Sequence, residues 1–493
     1  MDEDMLFGDL SDFGDIDENL LRAYLEGDEV NPELEELLQN YRHDNTPVIT
    51  RVPFKELWEN CITPTLSQTI ENVIPLLLLC FVFKLVCSFS KSGSDDNDIP
   101  PWLIHFSSLM FGILALQLFF QRTLIYLLVC ALVGYFVLVI TNWRNRDYCG
   151  IVMALCIVGY LITCEFVLER TVWHSIRGAQ IILSMKMIGI AFDLSNGTML
   201  RFPNLFEYLG YAFCVGTVIF GPWISFHEYK NILNQHRRPL SFFWLWKVIS
   251  SLLAAMLFVV CSTCIVNWLI LDNYWKWFKA YRSAQSFRFS HYFISCLSQV
   301  TVVLSGLGAT HNNDDVKWDI HVAKPYYIEL PRSLVEVVTY WNLPMHYWLK
   351  TYIFKTTKPL GTFAAVLLTY VASSMLHGLN FQLAAVLLSL GFYTYIEYVF
   401  RNKLSKIFSA CIQARSCKDC NHEYKHNNPY VIAANICFGI LSVFHLAYLG
   451  LMFDSSPTEE SGYSMHHTLD KWSALDFSSH WVALGTYIFH LLI

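Results

Sequence analysis

The chain has 493 residues, of which 54% are hydrophobic, 16% aromatic and 15% charged, and its formal net charge is −7. Soluble domains carry about 25% charged residues, so this composition excludes a set of ordinary soluble domains. No basic patch interleaved with aromatic residues indicates nucleic-acid binding. The sequence therefore predicts an all-α fold, a polytopic membrane helical bundle with a polar tail.

The first 50 residues form the tail, an acidic segment with little apolar material that begins MDEDMLFGDLSDFGD. This composition predicts a disordered or weakly helical extension. The segment lacks the basic region and short apolar core of a cleavable signal peptide, so an internal span is expected to direct insertion. Residues 51–493 are predicted to form a single membrane domain.

About 20 apolar residues cross a bilayer, and we predict about eleven transmembrane helices. The apolar candidates are 70–90, 102–121, 123–142, 150–168, 207–228, 248–271, 359–377, 380–400, 430–452 and 478–493, with more polar candidates at 289–308 and 333–353.

Basic residues in the short loops predict the orientation, because cytosolic loops carry an excess of Lys and Arg. The loop 401–425 contains six such residues, and Arg144 and Arg146 mark a second cytosolic loop. The acidic loop around 453–470 is expected on the other side. This orientation places His377 toward the lumenal side.

The segment 171–193 contains charged residues, so we expect it to dip into the membrane and return, or to lie flat, as a re-entrant segment. Such a segment would leave Asn196 on the lumenal side. Asn196-Gly197-Thr198 is a glycosylation sequon, and an unmodified turn is the alternative.

Two polar clusters interrupt the apolar sequence. His377 lies in SSMLHGLNFQ, and is either satisfied by a neighbour such as Ser373 or functional, since ionisable groups inside membranes commonly line sites. Asn342 precedes Leu343-Pro344, where a helix break is expected, and either caps that break or faces a cavity. An imidazole and an amide suit proton transfer on a bound substrate, in an enzyme or in a proton-coupled transporter.

Most of the fifteen cysteines lie singly inside apolar runs, where they act as small hydrophobic residues, so no disulfide framework is predicted. Cys417, Cys420, His422 and His426 have the residue types of a zinc site but a tighter spacing than usual. Free thiols are the preferred interpretation, and no metal is assigned.

The chain resembles the membrane-bound O-acyltransferase superfamily over most of residues 55–493. The segments that carry this resemblance are WHSIRGAQIILSMK (173–186), VGTVIFGPWISFHEY (215–229), ELPRSLVEVVTYWNLPMHYWLKTYIFK (329–355), TYVASSMLHG (369–378) and AYLGLMFD (447–454).

The resemblance implies a membrane acyltransferase of the endoplasmic reticulum that moves palmitoleoyl from palmitoleoyl-CoA, a substrate and not a cofactor, to a serine of Wnt proteins. It implies that His377 is the general base and that Asn342 orients the reacting groups. The donor would enter from the cytosol and the acceptor from the lumen, with lipid around the bundle. Substrate contacts are expected at Trp341, Ser373, Arg332, Arg177 and Gln180. For the last two, contacts with neighbouring helices are an equal alternative.

Two alternatives stay open. A lysophospholipid or another secreted peptide could be the acceptor within the same superfamily. A transporter would predict an inverted internal repeat, and the sequence contains none that we recognise.

Overall fold

The computed structural model describes residues 51–89, 100–232, 240–312, 315–378, 380–416, 421–453 and 465–493. The predicted acidic tail, residues 1–50, lies outside these ranges. Within them nearly all regular structure is helical and one two-stranded sheet is present, which confirms the predicted fold class.

The first eleven helices are α1 (Phe54–Leu57), α2 (Thr63–Phe89), α3 (Pro101–Phe120), α4 (Leu124–Arg144), α5 (Cys149–Val167), α6 (Arg170–Ser195), α7 (Leu205–Ala212), α8 (Phe226–Lys230), α9 (Phe242–Val260), α10 (Val266–Leu269) and α11 (Lys276–Leu304). A hairpin of β1 (Thr310–Asn312) and β2 (Asp315–Lys317) follows, with Thr310 paired to Lys317.

The remaining helices are α12 (Tyr326–Glu329), α13 (Leu334–Trp341), α14 (Leu343–Trp348), α15 (Lys355–Thr357), α16 (Thr362–Leu376), α17 (Phe381–Ile407), α18 (Pro429–Gly450), α19 (Met465–Ser473) and α20 (Ser478–Leu492). Three π-helical turns extend helices, at Trp58–Ile62, Cys261–Ile265 and Leu349–Phe354.

Seven helical stretches in the described ranges are long and apolar enough to cross a membrane, so the protein is a multi-pass membrane protein. One of them, Pro101–Arg144, has 44 residues, about twice the length that a bilayer needs. Gln121, with φ of 48°, separates its two helices. α16 is apolar but has only 15 residues, fewer than the usual length of a transmembrane helix. The predicted total of about eleven spans stays a prediction.

The prediction that 171–193 dips into the membrane and returns, or lies flat, is wrong. α6 is one continuous helix of 26 residues, about 39 Å long at 1.5 Å per residue, which is enough to cross a membrane. The ammonium of its buried Lys186 donates to the carbonyl oxygens of Tyr211 and Ala212 at 2.9 and 3.1 Å. Protein rather than lipid surrounds this charge, which makes it compatible with a spanning helix.

Because α6 is continuous, Asn196 lies on the side of the membrane opposite to the predicted one. Arg146, in the loop between α4 and α5, donates to the carbonyl oxygens of Leu194 at 2.8 Å and Leu200 at 3.1 Å, on either side of Asn196 in the chain. A cytosolic Arg146 and a lumenal Asn196 are therefore incompatible. The positive-inside rule favours the cytosolic side for both, and corrects the lumenal assignment of the sequon.

Residues 207–228 do not form the predicted span. α7 ends at Ala212, and the chain runs without regular structure over 213–225, although nearly all of these residues are buried. Irregular backbone is tolerated at membrane depth where protein surrounds it and supplies partners. The Thr301 hydroxyl, for example, donates to the Gly216 carbonyl oxygen at 2.9 Å.

A disulfide joins Cys61 to Cys264, with a Cα–Cα distance of 5.9 Å. It connects two of the π-helical turns, and the sequence did not indicate it because the two cysteines are 203 positions apart and nothing near either one points to the other. Most of the other described cysteines are buried, as predicted for residues that act as small apolar side chains.

The two largest clusters of buried side chains are one core around α6 and a second cluster between α17, α18 and α20. Arg401 ties this second region to the segment that follows α17. Its buried guanidinium bonds Glu397 Oε1 at 2.9 Å, the Ile412 carbonyl oxygen at 2.7 Å and Asn435 Oδ1 at 2.7 Å.

Candidate active site

His377 lies where α16 ends. Its backbone N–H donates to the Ser374 carbonyl oxygen at 3.0 Å, and the following Gly378 N–H donates to that of Met375 at 3.1 Å. Gly378 has a φ of +88°, the left-handed conformation in which glycine commonly terminates a helix. The His-Gly pair thus turns the chain sharply and leaves the half-buried imidazole at the end of α16.

The turn at Gly378 packs against the far end of α5. A β-carbon added at Gly378 would overlap Glu165 Oε2, so the carboxylate lies directly against this glycine. The Trp173 indole N–H donates to the same oxygen at 2.5 Å. Because Glu165 and Arg146 lie at opposite ends of α5, the His377 turn is on the side opposite to Arg146, as the predicted orientation requires.

Arg177 brings a positive charge to this region. It lies one helical turn after Trp173 on the same face of α6, and its charge acts on both Glu165 and the His377 imidazole. Its Nη1 atom is buried and has no hydrogen-bond partner among the described residues. A buried donor without a partner costs free energy, so Nη1 is suited to bind a substrate oxygen.

The predicted helix break at Asn342 is present. α13 ends at Trp341 and α14 begins at Leu343, and Asn342 between them is extended, with φ −147° and ψ 94°. Its Oδ1 accepts from the Met345 backbone N–H at 3.0 Å, which is the capping role. The side-chain amide nitrogen is then left as the donor that can face a substrate.

The break frees the Trp341 carbonyl oxygen from helical hydrogen bonding, and His291 of α11 binds it. His291 Nε2 lies 2.8 Å from that oxygen, and the imidazole stacks on the Trp341 indole with 4.4 Å between ring centroids. The Phe287 ring also stacks on the Trp341 indole and, in addition, on the Phe453 ring. Trp341 is therefore held by aromatic neighbours on α11.

No hydrogen bond joins Asn342 to His377 in the described part of the chain. The segment that follows Asn342 connects the two residues, because it packs against the helix that ends at His377. α14 continues into the π-helical turn Leu349–Phe354, which packs against α16. Trp348 anchors this segment on α6, because its indole N–H donates to the Met185 carbonyl oxygen at 3.0 Å.

The other predicted substrate contacts have separate surroundings. Ser373 is buried on the last turn of α16. Gln180 is completely buried beside the Cys130 thiol. Arg332 donates to the carbonyl oxygens of Cys411 and Gln413 at 2.8 and 3.1 Å, a structural contact. A substrate role for these three stays a prediction.

Two of the four residues of the possible zinc site, Cys417 and Cys420, lie outside the described residues. The structure therefore does not test this site. His422 Nε2 lies 3.0 Å from the Ser405 hydroxyl. Among the described residues no group of three or more His, Cys, Asp and Glu could hold a metal ion.

Sequence reasoning missed Glu165, Trp173 and His291. Glu165 and Trp173 lie near the RGAQ motif, yet only the fold brings their side chains to Gly378. His291 falls in the candidate span 289–308, whose mixed polarity does not by itself predict a role for this residue. A signal was present in the Gly378 that follows His377, because a glycine there indicates a close approach.

The chain is similar to one known family and to several known proteins. The model of the MBOAT, membrane-bound O-acyltransferase family matches residues 165–418, a range that includes Glu165, Asn342 and His377. The chain is 42% identical over 464 residues to "Protein-serine O-palmitoleoyltransferase porcupine" of Homo sapiens, covering 89% of this chain and 98% of that protein.

The protein with the same description from Drosophila melanogaster is 31% identical, over 89% of this chain and 87% of its own length. "Lysophospholipid acyltransferase 1" of Arabidopsis thaliana is 25% identical, over 48% of this chain and 60% of its own. These similarities favour an enzyme over the transporter alternative. The chain belongs to the membrane-bound O-acyltransferase family.

Proposed function

We propose that this protein transfers a palmitoleoyl group from palmitoleoyl-CoA to a serine hydroxyl of Wnt proteins in the membrane of the endoplasmic reticulum. The observation that carries the proposal is the His377 turn, in which Gly378 packs against Glu165 and leaves an imidazole within range of the Arg177 charge. Arg177 Nη1 has no hydrogen-bond partner among the described residues. The names of the human and Drosophila relatives support the acyl group and the serine acceptor.

In the proposed reaction the neutral His377 imidazole takes the proton of the serine hydroxyl while that oxygen attacks the thioester carbon. The carbonyl π electrons move to oxygen and form a tetrahedral oxyanion. Its collapse re-forms the carbonyl and breaks the C–S bond. The departing thiolate of CoA takes the proton from the imidazolium, so that His377 is neutral again and the serine carries an ester.

Two donors are suited to stabilise the oxyanion. Arg177 Nη1 is buried without a partner among the described residues, and the Asn342 side-chain nitrogen is left over once Oδ1 caps α14. A positioned donor in a site of this kind contributes about 10²–10³-fold to the rate. Arg177 projects from α6 and Asn342 from the break between α13 and α14, so the helical bundle sets the position of each backbone.

The proposed compartment rests on the orientation of the chain. With Arg146 in the cytosol, the His377 turn lies at the lumenal end of α5, where a secretory protein could present a serine. The acyl donor would come from the cytosolic side. The identity of Wnt proteins as acceptors rests on the resemblance and on the relatives' description.

The proposal is tested by incubating the purified protein with labelled palmitoleoyl-CoA and a hairpin peptide of a Wnt protein that contains one serine. A second peptide, in which that serine is replaced by alanine, is the matched control. We expect alkali-labile label on the serine peptide and none on the control. Equal labelling of both peptides, or no transfer by a folded protein, would contradict the proposal.

A lysophospholipid is the second candidate acceptor, because the Arabidopsis relative carries that description. The same reaction with lysophosphatidylcholine in place of the peptide separates the two. The proposal predicts little transfer to the lysolipid and fast transfer to the peptide. The reverse order of rates would favour the lysolipid reaction.

A further inference from the structure

His291 makes two distinct contacts with a single residue at the helix break. Its Nε2 is 2.8 Å from the Trp341 carbonyl oxygen, and since a carbonyl only accepts, this nitrogen carries the hydrogen. The imidazole also lies nearly parallel to the Trp341 indole, with an interplanar angle of 12°. One contact fixes the backbone of Trp341 and the other fixes its side chain.

These contacts act directly on Asn342. The Trp341 carbonyl and the Asn342 nitrogen belong to the same planar peptide group, so a hydrogen bond to the oxygen sets the plane from which Asn342 extends. On the other side, the Leu343 N–H donates to the Val322 carbonyl oxygen at 2.8 Å. Asn342 is therefore held before and after its α-carbon, and its own Oδ1 is held by Met345.

We propose that His291 is a positioning residue for the reaction: by donating to the Trp341 carbonyl it fixes the direction of the Asn342 side-chain amide. The proposal rests on the proposed function, in which Asn342 contacts the reacting groups. A displacement of about 1 Å at a catalytic group costs up to about 10²-fold in rate. Loss of the hydrogen bond from His291 to the Trp341 carbonyl should therefore lower the rate measurably.

Three variants separate the hydrogen bond from the stacking. His291→Phe keeps a flat ring against Trp341 and removes the donor, whereas His291→Gln keeps an N–H donor and removes the ring. Ser295→Ala is the matched control, because the Ser295 hydroxyl lies 3.4 Å from the same Nε2 and is buried on the same helix.

In the palmitoleoyl-transfer assay, His291→Phe is expected to lower kcat by about 10–100-fold while the KM for palmitoleoyl-CoA changes less than about threefold. His291→Gln should recover part of the loss, and Ser295→Ala should behave like the wild type. Combining His291→Phe with Asn342→Ala should cost no more than Asn342→Ala alone, because both act on one amide.

Hydrogen exchange provides a readout that needs no activity. His291→Phe should at least double deuterium uptake in the segment Trp341–Trp348 and leave α16 unchanged. Full activity of His291→Phe, independent losses in the double variant, or unchanged exchange in Trp341–Trp348 would overturn the positioning role. A wild type that exchanges as expected but transfers no palmitoleoyl would contradict the proposed function instead.

Discussion

The Glu165 carboxylate occupies the space that a side chain at Gly378 would need. Because Gly378 directly follows His377, this contact links the end of α5 to the residue that we propose as general base. The contact adds a second constraint to the left-handed φ of Gly378, because a side chain there would displace the Glu165 carboxylate that accepts from Trp173.

Gly378→Ala is therefore expected to lower palmitoleoyl transfer by about 10–100-fold through displacement of His377. Gly361→Ala is the matched control, because Gly361 also has a positive φ but a β-carbon added there would meet no atom within 4 Å. Rates and melting temperatures of both variants would be compared in detergent. Equal activity losses would show that backbone strain alone, and not contact with Glu165, accounts for the effect.

Asn342 combines a capping role with a proposed catalytic one, and two substitutions distinguish them. Asn342→Asp keeps the oxygen that accepts from Met345 and removes the amide donor, so it should retain the melting temperature but lose about 10²-fold or more in kcat. Asn342→Ala should lose both activity and about 1 kcal/mol of stability. An active Asn342→Asp variant would reduce Asn342 to a helix cap.

The disulfide between Cys61 and Cys264 closes a sequence separation of 203 residues. Disulfides typically contribute about 2–4 kcal/mol, so the double variant Cys61→Ser and Cys264→Ser should melt at a lower temperature than the wild type without reductant. Cys437→Ser, which changes an exposed cysteine of α18, serves as control. Identical melting of wild type and double variant would mean that the bond does not form in the protein.

The corrected side of α6 predicts that Asn196 carries no glycan. Treatment with a glycosidase that removes N-linked glycans should leave the mobility of the wild type unchanged. Glu459→Asn creates a sequon in the acidic loop that is expected to be lumenal, and this variant should shift on treatment. A shift for the wild type would restore the lumenal assignment of Asn196.

Local sequence signals were sufficient where one short segment determines the structure. Leu343-Pro344 disfavours helix at Asn342, and the break occurs there. The apolar runs predicted most of the long helices. His377 was singled out because an imidazole in an apolar segment needs an explanation, and the structure places it at the end of the bundle that the basic loops predicted.

Features that depend on distant parts of the chain could not be predicted in the same way. The charge of Lys186 suggested that its segment would not cross, but carbonyl oxygens of Tyr211 and Ala212 satisfy it inside the protein. The contact of Glu165 with Gly378 joins segments that are far apart in the sequence. In both cases the sequence around one residue gives no indication of the residue that it contacts.

The central claim is that His377 takes the serine proton, and the rate of labelled palmitoleoyl transfer by His377→Ala tests it most directly. The variant would be compared with the wild type and with His426→Ala, which replaces an exposed histidine. The melting temperatures of all three proteins would be measured to show that each is folded. A general base contributes about 10²–10⁴-fold, so transfer should fall by at least about 100-fold in His377→Ala and remain unchanged in His426→Ala. A folded His377→Ala protein that transfers palmitoleoyl at the wild-type rate would contradict the account.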